Sequence, residues 1–238
     1  MARISMGREG EQPHVTGRAK PLLRGWFHAG AAVASVVLGL VLCWLSLGDW
    51  PKLLSMLVFG LSMVELYTVS AVYHLGSWRE KPYRLLNALD HSNIFVAIAG
   101  TYTPLCVNIL TGAARDATLA LIWVLALAGI TLSIVTIGMP RLKVRVPRWG
   151  STSLYIGMGW VSLLLLPAIW VALPWQAVAL LLLGGLLQTL GAVVYARRWP
   201  DPFPKVLGFH EVFHIFVVAG GAAFAAVIFF WVVPYARA

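Results

Sequence analysis

Charge is what this sequence has least of. Of its 238 residues only 11% are Asp, Glu, Lys or Arg, whereas a water-soluble domain draws on about 25%. So few charges cannot cover a water-facing surface, and a soluble globular protein is excluded. Cysteine is also scarce. Cys43 and Cys106 are the two thiols, and both fall inside apolar runs. That excludes a disulfide framework and reads as two small buried hydrophobes. Long low-complexity stretches and a clear internal repeat are missing too. No polar segment between the apolar runs is large enough for a soluble domain. The net charge of +9 does not point to nucleic acid, because the basic residues sit in short loops between apolar runs, as membrane topology requires.

What the chain has is hydrophobic length. Sixty per cent of its residues are apolar. They gather in seven runs, roughly 25–48, 52–75, 85–110, 116–139, 151–172, 175–196 and 208–233. A bilayer span needs about 20 residues, and each run qualifies. The expected fold is an all-α integral membrane protein of seven transmembrane helices in one compact bundle over 24–238. Residues 1–23 are polar, carry Arg3, Arg8, Arg18 and Lys20, and read as a cytoplasmic tail. The first apolar run is too long for a cleavable signal peptide, and more spans follow it.

Lys and Arg alternate between the two sides of the bundle. Fifteen of the eighteen lie in the tail through Arg24 and in the second, fourth and sixth loops, while Lys52, Arg115 and Arg237 lie opposite. The positive-inside rule then puts the N-terminus in the cytoplasm and the C-terminus outside. Trp26, Trp50, Trp149, Trp170, Trp175 and Trp199 mark the interfaces as an aromatic belt. Pro140, Pro147, Pro200, Pro202 and Pro204 fall in loops, whereas Pro104 and Pro167 lie inside spans and should kink them.

An ionisable side chain in a span costs roughly 2.5–3.5 kcal/mol on insertion scales, so each one needs a reason. The candidates are His28, Glu65, His74, Asp90, His91, His210, Glu211 and His214. The second span enters from outside, so its late residue His74 lies toward the cytoplasm. The third and seventh spans leave from inside, so Asp90, His210 and His214 lie at a similar depth. His210 and His214 are i and i+4 and share one helix face. Two imidazoles so spaced can reach one ion at about 2.0–2.1 Å. His74 would be the third ligand, with Ser70 one turn before it. Three histidines leave a tetrahedral zinc ion one position for water, the catalytic arrangement. Asp90 could orient that water or accept its proton.

Other polar residues read more plainly. His28 and His91, taken singly, suit hydrogen-bonded or water-facing histidines of the bundle. Glu65 is nine residues before His74, about 180° around the helix, so it faces away from the site; it could pair with a polar group elsewhere in the bundle, and it is assigned no role. Residues 210–214 read His-Glu-Val-Phe-His, a literal match to the metalloprotease pattern in which the Glu is general base. No further His follows, and Glu211 lies about 100° off the His210–His214 face. It therefore reads as a supporting or solvated group rather than the base.

Ser-Ala-Val-Tyr-His at 70–74, Asp-His at 90–91, Ala-Gly-Thr-Tyr-Thr-Pro at 99–104, Tyr-Ile-Gly-Met-Gly-Trp at 155–160 and Gly-Phe-His-Glu-Val-Phe-His at 208–214 resemble the hemolysin III family, within the progestin and adipoQ receptor superfamily. The resemblance implies a seven-helix fold with zinc held by His74, His210 and His214 near the cytoplasmic face. It also implies that Asp90 contacts the zinc-bound water, with Ser70 beside the site. Related membrane proteins are similar to lipid amide hydrolases, and bacterial members have been described as hemolysins and as membrane-homeostasis factors. The chain departs from the pattern at its ends. Pro21 and Arg24 stand near the acidic and Asn residues that open helix 1 in many members, and Phe224 stands where some carry a further His.

Three functions follow as expectations. One is an intramembrane zinc hydrolase of a lipid amide or ester in the inner (plasma) membrane. In it Asp90 is the base, and Ser70, Tyr67 or Tyr102 orients the carbonyl. The second is a receptor-like regulator of membrane state with a structural zinc. The third is a channel or pore, which should show polar residues along its whole length. In each the partners are membrane lipids rather than nucleic acid.

Overall fold

A computed structural model describes residues 20–139, 142, 144 and 146–236. Most of the expected tail, with Pro140, Arg141, Lys143, Arg145 and Arg237, lies outside the described residues.

Helix α1 spans Trp26–Leu45. It starts behind Gly25, whose φ of +86° is left-handed, a conformation that suits glycine. A Cβ on Gly25 would also come within 3.0 Å of the His74 Cβ. Helix α2 spans Trp50–Leu75. The Asp49 side chain accepts from the Lys52 backbone N–H, and Pro51 sits in the first turn, so both features of a helix start are present. Helix α3 runs over Glu80–Ile109, and α4 over Gly112–Ser133, continuing through a π turn at Ile134–Gly138. The fifth span is divided. Helix α5 covers Arg148–Trp160, a 3-10 segment covers Val161–Leu165, and α6 covers Leu166–Ala172. Helix α7 is Trp175–Arg197, and α8 is Phe209–Val227 with a π turn at Ile228–Val232. These elements give seven helical spans long and apolar enough to cross a membrane.

The seven expected runs coincide with the seven spans, and the boundaries shift. The third span begins five residues earlier than its apolar run, because Glu80, Lys81 and Arg84 extend α3 past the hydrophobic stretch. Pro104 stays inside α3. Pro167 does not kink a continuous helix. It occupies the first turn of α6, and the interruption lies upstream at Val161–Leu165.

Burial orders the bundle. The most apolar window of α3 is 72% buried and that of the fifth span 11%, so α3 is the central post and α5–α6 lie at the lipid edge. Leu42, Met56, Phe59, Ile169, Val178 and Val227 form one core cluster, and Phe95, Tyr102, Ile122, Ala126 and Met158 form a second around α3 and α4. Helices α1 and α2 meet at Gly39 and Gly60, where an added Cβ on Gly60 would stand 3.1 Å from the Gly39 Cα. In lipid, where apolar burial no longer drives helices together, such small residues let backbones approach and gain dispersion contact. The Tyr102 hydroxyl fills the break in span five: it donates to the Gly159 carbonyl at 2.6 Å and accepts from the Ser162 N–H at 2.6 Å.

Candidate metal centre

Three histidines from two helices converge at one end of the bundle. His74 lies in the last turn of α2, and His210 and His214 in the first turns of α8. The Nε2 atoms of His74 and His210 stand 3.1 Å apart. The rings of His74 and His214 have centroids 5.1 Å apart, and those of His210 and His214 4.6 Å. One ligand nitrogen from each of the three lies within 4.8 Å of the other two. The α8 pair meets because i and i+4 share a face. His74 joins them because α2 and α8 both bring their ends to this level.

The donor set fits a metal ion. Two nitrogens each about 2.0–2.1 Å from a tetrahedral ion are about 3.3 Å apart, close to the His74–His210 spacing. His214 Nδ1 is buried without a hydrogen-bond partner among the described residues, and a buried polar nitrogen left so is costly. Neutral imidazole suits zinc. At the outer limit of 4.8 Å a ring would have to close in by about 1.5 Å to reach tetrahedral spacing.

Asp90 stands at the rim, its Oδ2 3.8 Å from His74 Nε2. Ser70 and Asp90 both line the cavity next to the histidines. His91, the next residue, points to a separate set of partners. Its Nδ1 donates to the Asn87 carbonyl at 2.9 Å, and its Nε2 faces the Tyr195 hydroxyl at 3.4 Å. The Arg148 guanidinium covers the Tyr195 ring at 4.7 Å. His91 is therefore the hydrogen-bonded bundle histidine that the sequence suggests.

Below the histidines a cavity of about 200 Å³ runs into the bundle. His28, Tyr67, Ser70, Asp90, His210 and His214 line its head, and Ala97, Leu105, Ile169, Leu181 and Phe224 line its depth. Thr101, Ser162, Gln188 and Thr189 also line it, and the rest of the wall is mainly aliphatic and aromatic.

Four expectations need correction. His28 is neither hydrogen-bonded nor facing water. It is 3% exposed, both ring nitrogens lack a partner among the described residues, and its ring stacks on His214 with centroids 3.7 Å apart. Glu211 is not solvated. It is fully buried, bonds the Arg24 guanidinium, and accepts from the Gly208 N–H at 2.8 Å. Tyr102 does not face a substrate carbonyl with a free hydroxyl, because the broken fifth span takes that hydroxyl up. Glu65 faces away from the histidines, as its angle requires, but its side chain finds no partner in the bundle among the described residues; it is exposed on α2.

Arg24 is the residue that sequence reasoning missed. It reads there as one more topology charge. Its partner lies 187 positions away, a separation no periodicity reveals. The described residues before α1 are tied down from Lys20 onward. Lys20 Nζ donates to the Gly76 carbonyl at 2.9 Å, and Leu22 and Leu23 donate to the Lys205 and Val206 carbonyls at 3.0 and 3.1 Å. Burial, then the neighbouring Arg24 charge, lowers the Lys20 pKa.

Comparison with known proteins agrees with this architecture. The family model described as "Haemolysin-III related" matches residues 16–225. A "Hemolysin-3 homolog" of Bacillus subtilis (strain 168) is 34% identical over 190 residues, covering 79% of this chain and 83% of that protein. The "Hemolysin-3" of Bacillus cereus is 34% identical over 190 residues, covering 79% of this chain and 80% of its own. A seven-span helical bundle matched over most of its length in this way belongs to the hemolysin III family.

Proposed function

We propose that this chain is a zinc-dependent intramembrane hydrolase acting on a lipid amide or ester. The carrying observation is the convergence of three imidazoles, two of which line a mainly apolar cavity that Asp90 and Ser70 also line. An ion bound there would supply Lewis-acid polarisation and a water acidified to a pKa of about 7.

The chain's own residues supply the rest. His74, His210 and His214 would hold the ion through neutral ring nitrogens. Asp90 Oδ2, 3.8 Å from His74 Nε2, is within one water of the ligand shell and can take up a proton there. Ser70, which lines the cavity with Asp90, would help to orient that carboxyl. Tyr67 lines the cavity head and packs edge-on against His28, with centroids 5.2 Å apart, and it is the remaining candidate to hold a carbonyl. The mainly apolar wall of the cavity suits an occupant with a polar group at the histidine end and an acyl chain behind it. By the positive-inside rule the histidine end, with Lys20, Arg24, Arg79, Lys81 and Lys205 around it, is the cytoplasmic one of an inner (plasma) membrane.

Metal analysis of the purified protein, beside release of a fluorescent acyl chain from lipid amides and esters, tests this reading. Wild type should hold a stoichiometric zinc ion. H74A, H210A and H214A should lose both ion and hydrolysis, and D90A should keep the ion and lose hydrolysis. Full hydrolysis by metal-free protein would end the proposal. Zinc retained by a wild type inert on every lipid would instead support a receptor-like, structural role.

A further inference from the structure

Helix α2 shows lipid a face that is not wholly apolar. Leu54, Val58, Leu61, Glu65, Thr68, Val72 and Leu75 are exposed or half-buried along it. They recur at alternating intervals of four and three residues, the spacing of a helix seam that packs against another helix. Glu65 is ten residues before the helix end at Leu75. At 1.5 Å per residue that is about 15 Å, half the roughly 30 Å of a hydrocarbon core. A carboxyl group thus faces outward near the middle of the bilayer, where an acidic side chain is costly unless it is paired.

A second observation concerns Thr68, one turn further along the same face. Lipid-facing hydroxyls in helices commonly bond back to the preceding turn, as Thr131 does to the Leu127 carbonyl at 2.8 Å. Thr68 makes no hydrogen bond to any described residue, and neither does the Glu65 carboxyl. A donor and an acceptor therefore stand together on one face, both unpaired and aimed out of the bundle.

We propose that this face of α2 is the interface with a second copy of the chain, closed at the bilayer midplane by hydrogen bonds between Glu65 of each copy and Thr68 of the other. The face is self-complementary, as a two-fold interface must be. Copies inserted the same way bring their α2 helices together in parallel. In a seam of this spacing a residue at the Glu65 position packs between the Leu61 and Thr68 positions of the facing helix. Each Thr68 hydroxyl then donates to a Glu65 carboxyl, and the two bonds are equivalent by symmetry. An apolar partner helix would leave the carboxyl as exposed as lipid does. The metal centre lies on the opposite side of α2, so the interface leaves the cavity open.

The test uses the full chain in lipid nanodiscs and in vesicles at graded protein-to-lipid ratios, with mass measurement of the assembly. Wild type should dimerise. E65L and T68V should raise the dissociation constant on the order of tenfold, the size of a typical interhelical hydrogen-bond loss in lipid. E65Q keeps an acceptor and should stay near the wild-type value. In a C43S background, L61C on the seam should cross-link copies under mild oxidation, and V37C on the lipid-facing side of α1 should not. A monomeric wild type, an unaltered E65L dimer, or cross-linking through V37C instead of L61C would each overturn the proposal. So would a different protein that co-purifies with wild type and is released by E65L. Since the substituted side chains face lipid, zinc content should be unchanged in every variant, which separates this proposal from the reading of the metal centre.

Discussion

Glu211 shows what one residue does to this fold. Its buried carboxylate is neutralised by Arg24 and also accepts from the Gly208 N–H at the start of α8. Removing one partner of such a pair leaves an uncompensated buried charge, whereas removing both charges can be nearly neutral. R24M should therefore cost about 3 kcal/mol, and R24M/E211Q should recover most of that, since Gln keeps the acceptor for Gly208. Thermal unfolding in detergent measures both. His28 predicts a near-neutral outcome instead. Its ring nitrogens bond nothing among the described residues, so H28F forfeits no hydrogen bond and should leave stability within about 1 kcal/mol. It should also leave zinc content unchanged, which mass spectrometry of the metal checks. The sequence made the metal candidates legible at this scale because ligand spacing is local: His210 and His214 share a face whatever the fold. It hid the Arg24–Glu211 pair and the His28–His214 stack, which join the first and last spans and exist only once the bundle closes.

Among the elements, the seven spans were legible because lipid demands length and apolarity of each one independently. Their interruptions were less so. Pro167 marks a restart in the fifth span, yet the break at Val161–Leu165 depends on Tyr102, a residue of α3. The side chain supplies what the interrupted backbone lacks. Y102F would orphan the Ser162 N–H and leave the Gly159 carbonyl with only the Ser162 hydroxyl, 3.2 Å away. It should cost about 1–3 kcal/mol and raise amide exchange at Ser162 selectively, as hydrogen-exchange mass spectrometry would read. The α1–α2 contact is as demanding. G60V places branched carbon where the Gly39 Cα stands 3.1 Å from an added Cβ. Separating the two helices should lower the melting temperature, and G60A should do so less.

The whole molecule is held together at both ends. At the end away from the histidines, Lys52 Nζ donates to the Val233 and Tyr235 carbonyls, each at 2.8 Å, so α2 meets the end of the last span there. At the other end the His74 and His210 rings join the same two regions of chain, their Nε2 atoms 3.1 Å apart. An ion that binds only the folded arrangement adds stability by mass action, about 2.7 kcal/mol at a hundredfold excess over its dissociation constant. Stripping the protein with a chelator should lower its melting temperature, and zinc should restore it in proportion to the logarithm of its concentration. H214A should abolish that dependence.

The segment from Lys20 to Gly25 rests on the end of α2, on the loop before α8 and on Glu211. Its seat is thus made largely of residues synthesised last. During biosynthesis the segment emerges early and has only the end of α2 to rest on until the loop before α8 and the seventh span arrive. Completion of the chain, rather than any single insertion event, is the step that latches this mouth, and a nascent chain stalled before α8 would leave it open.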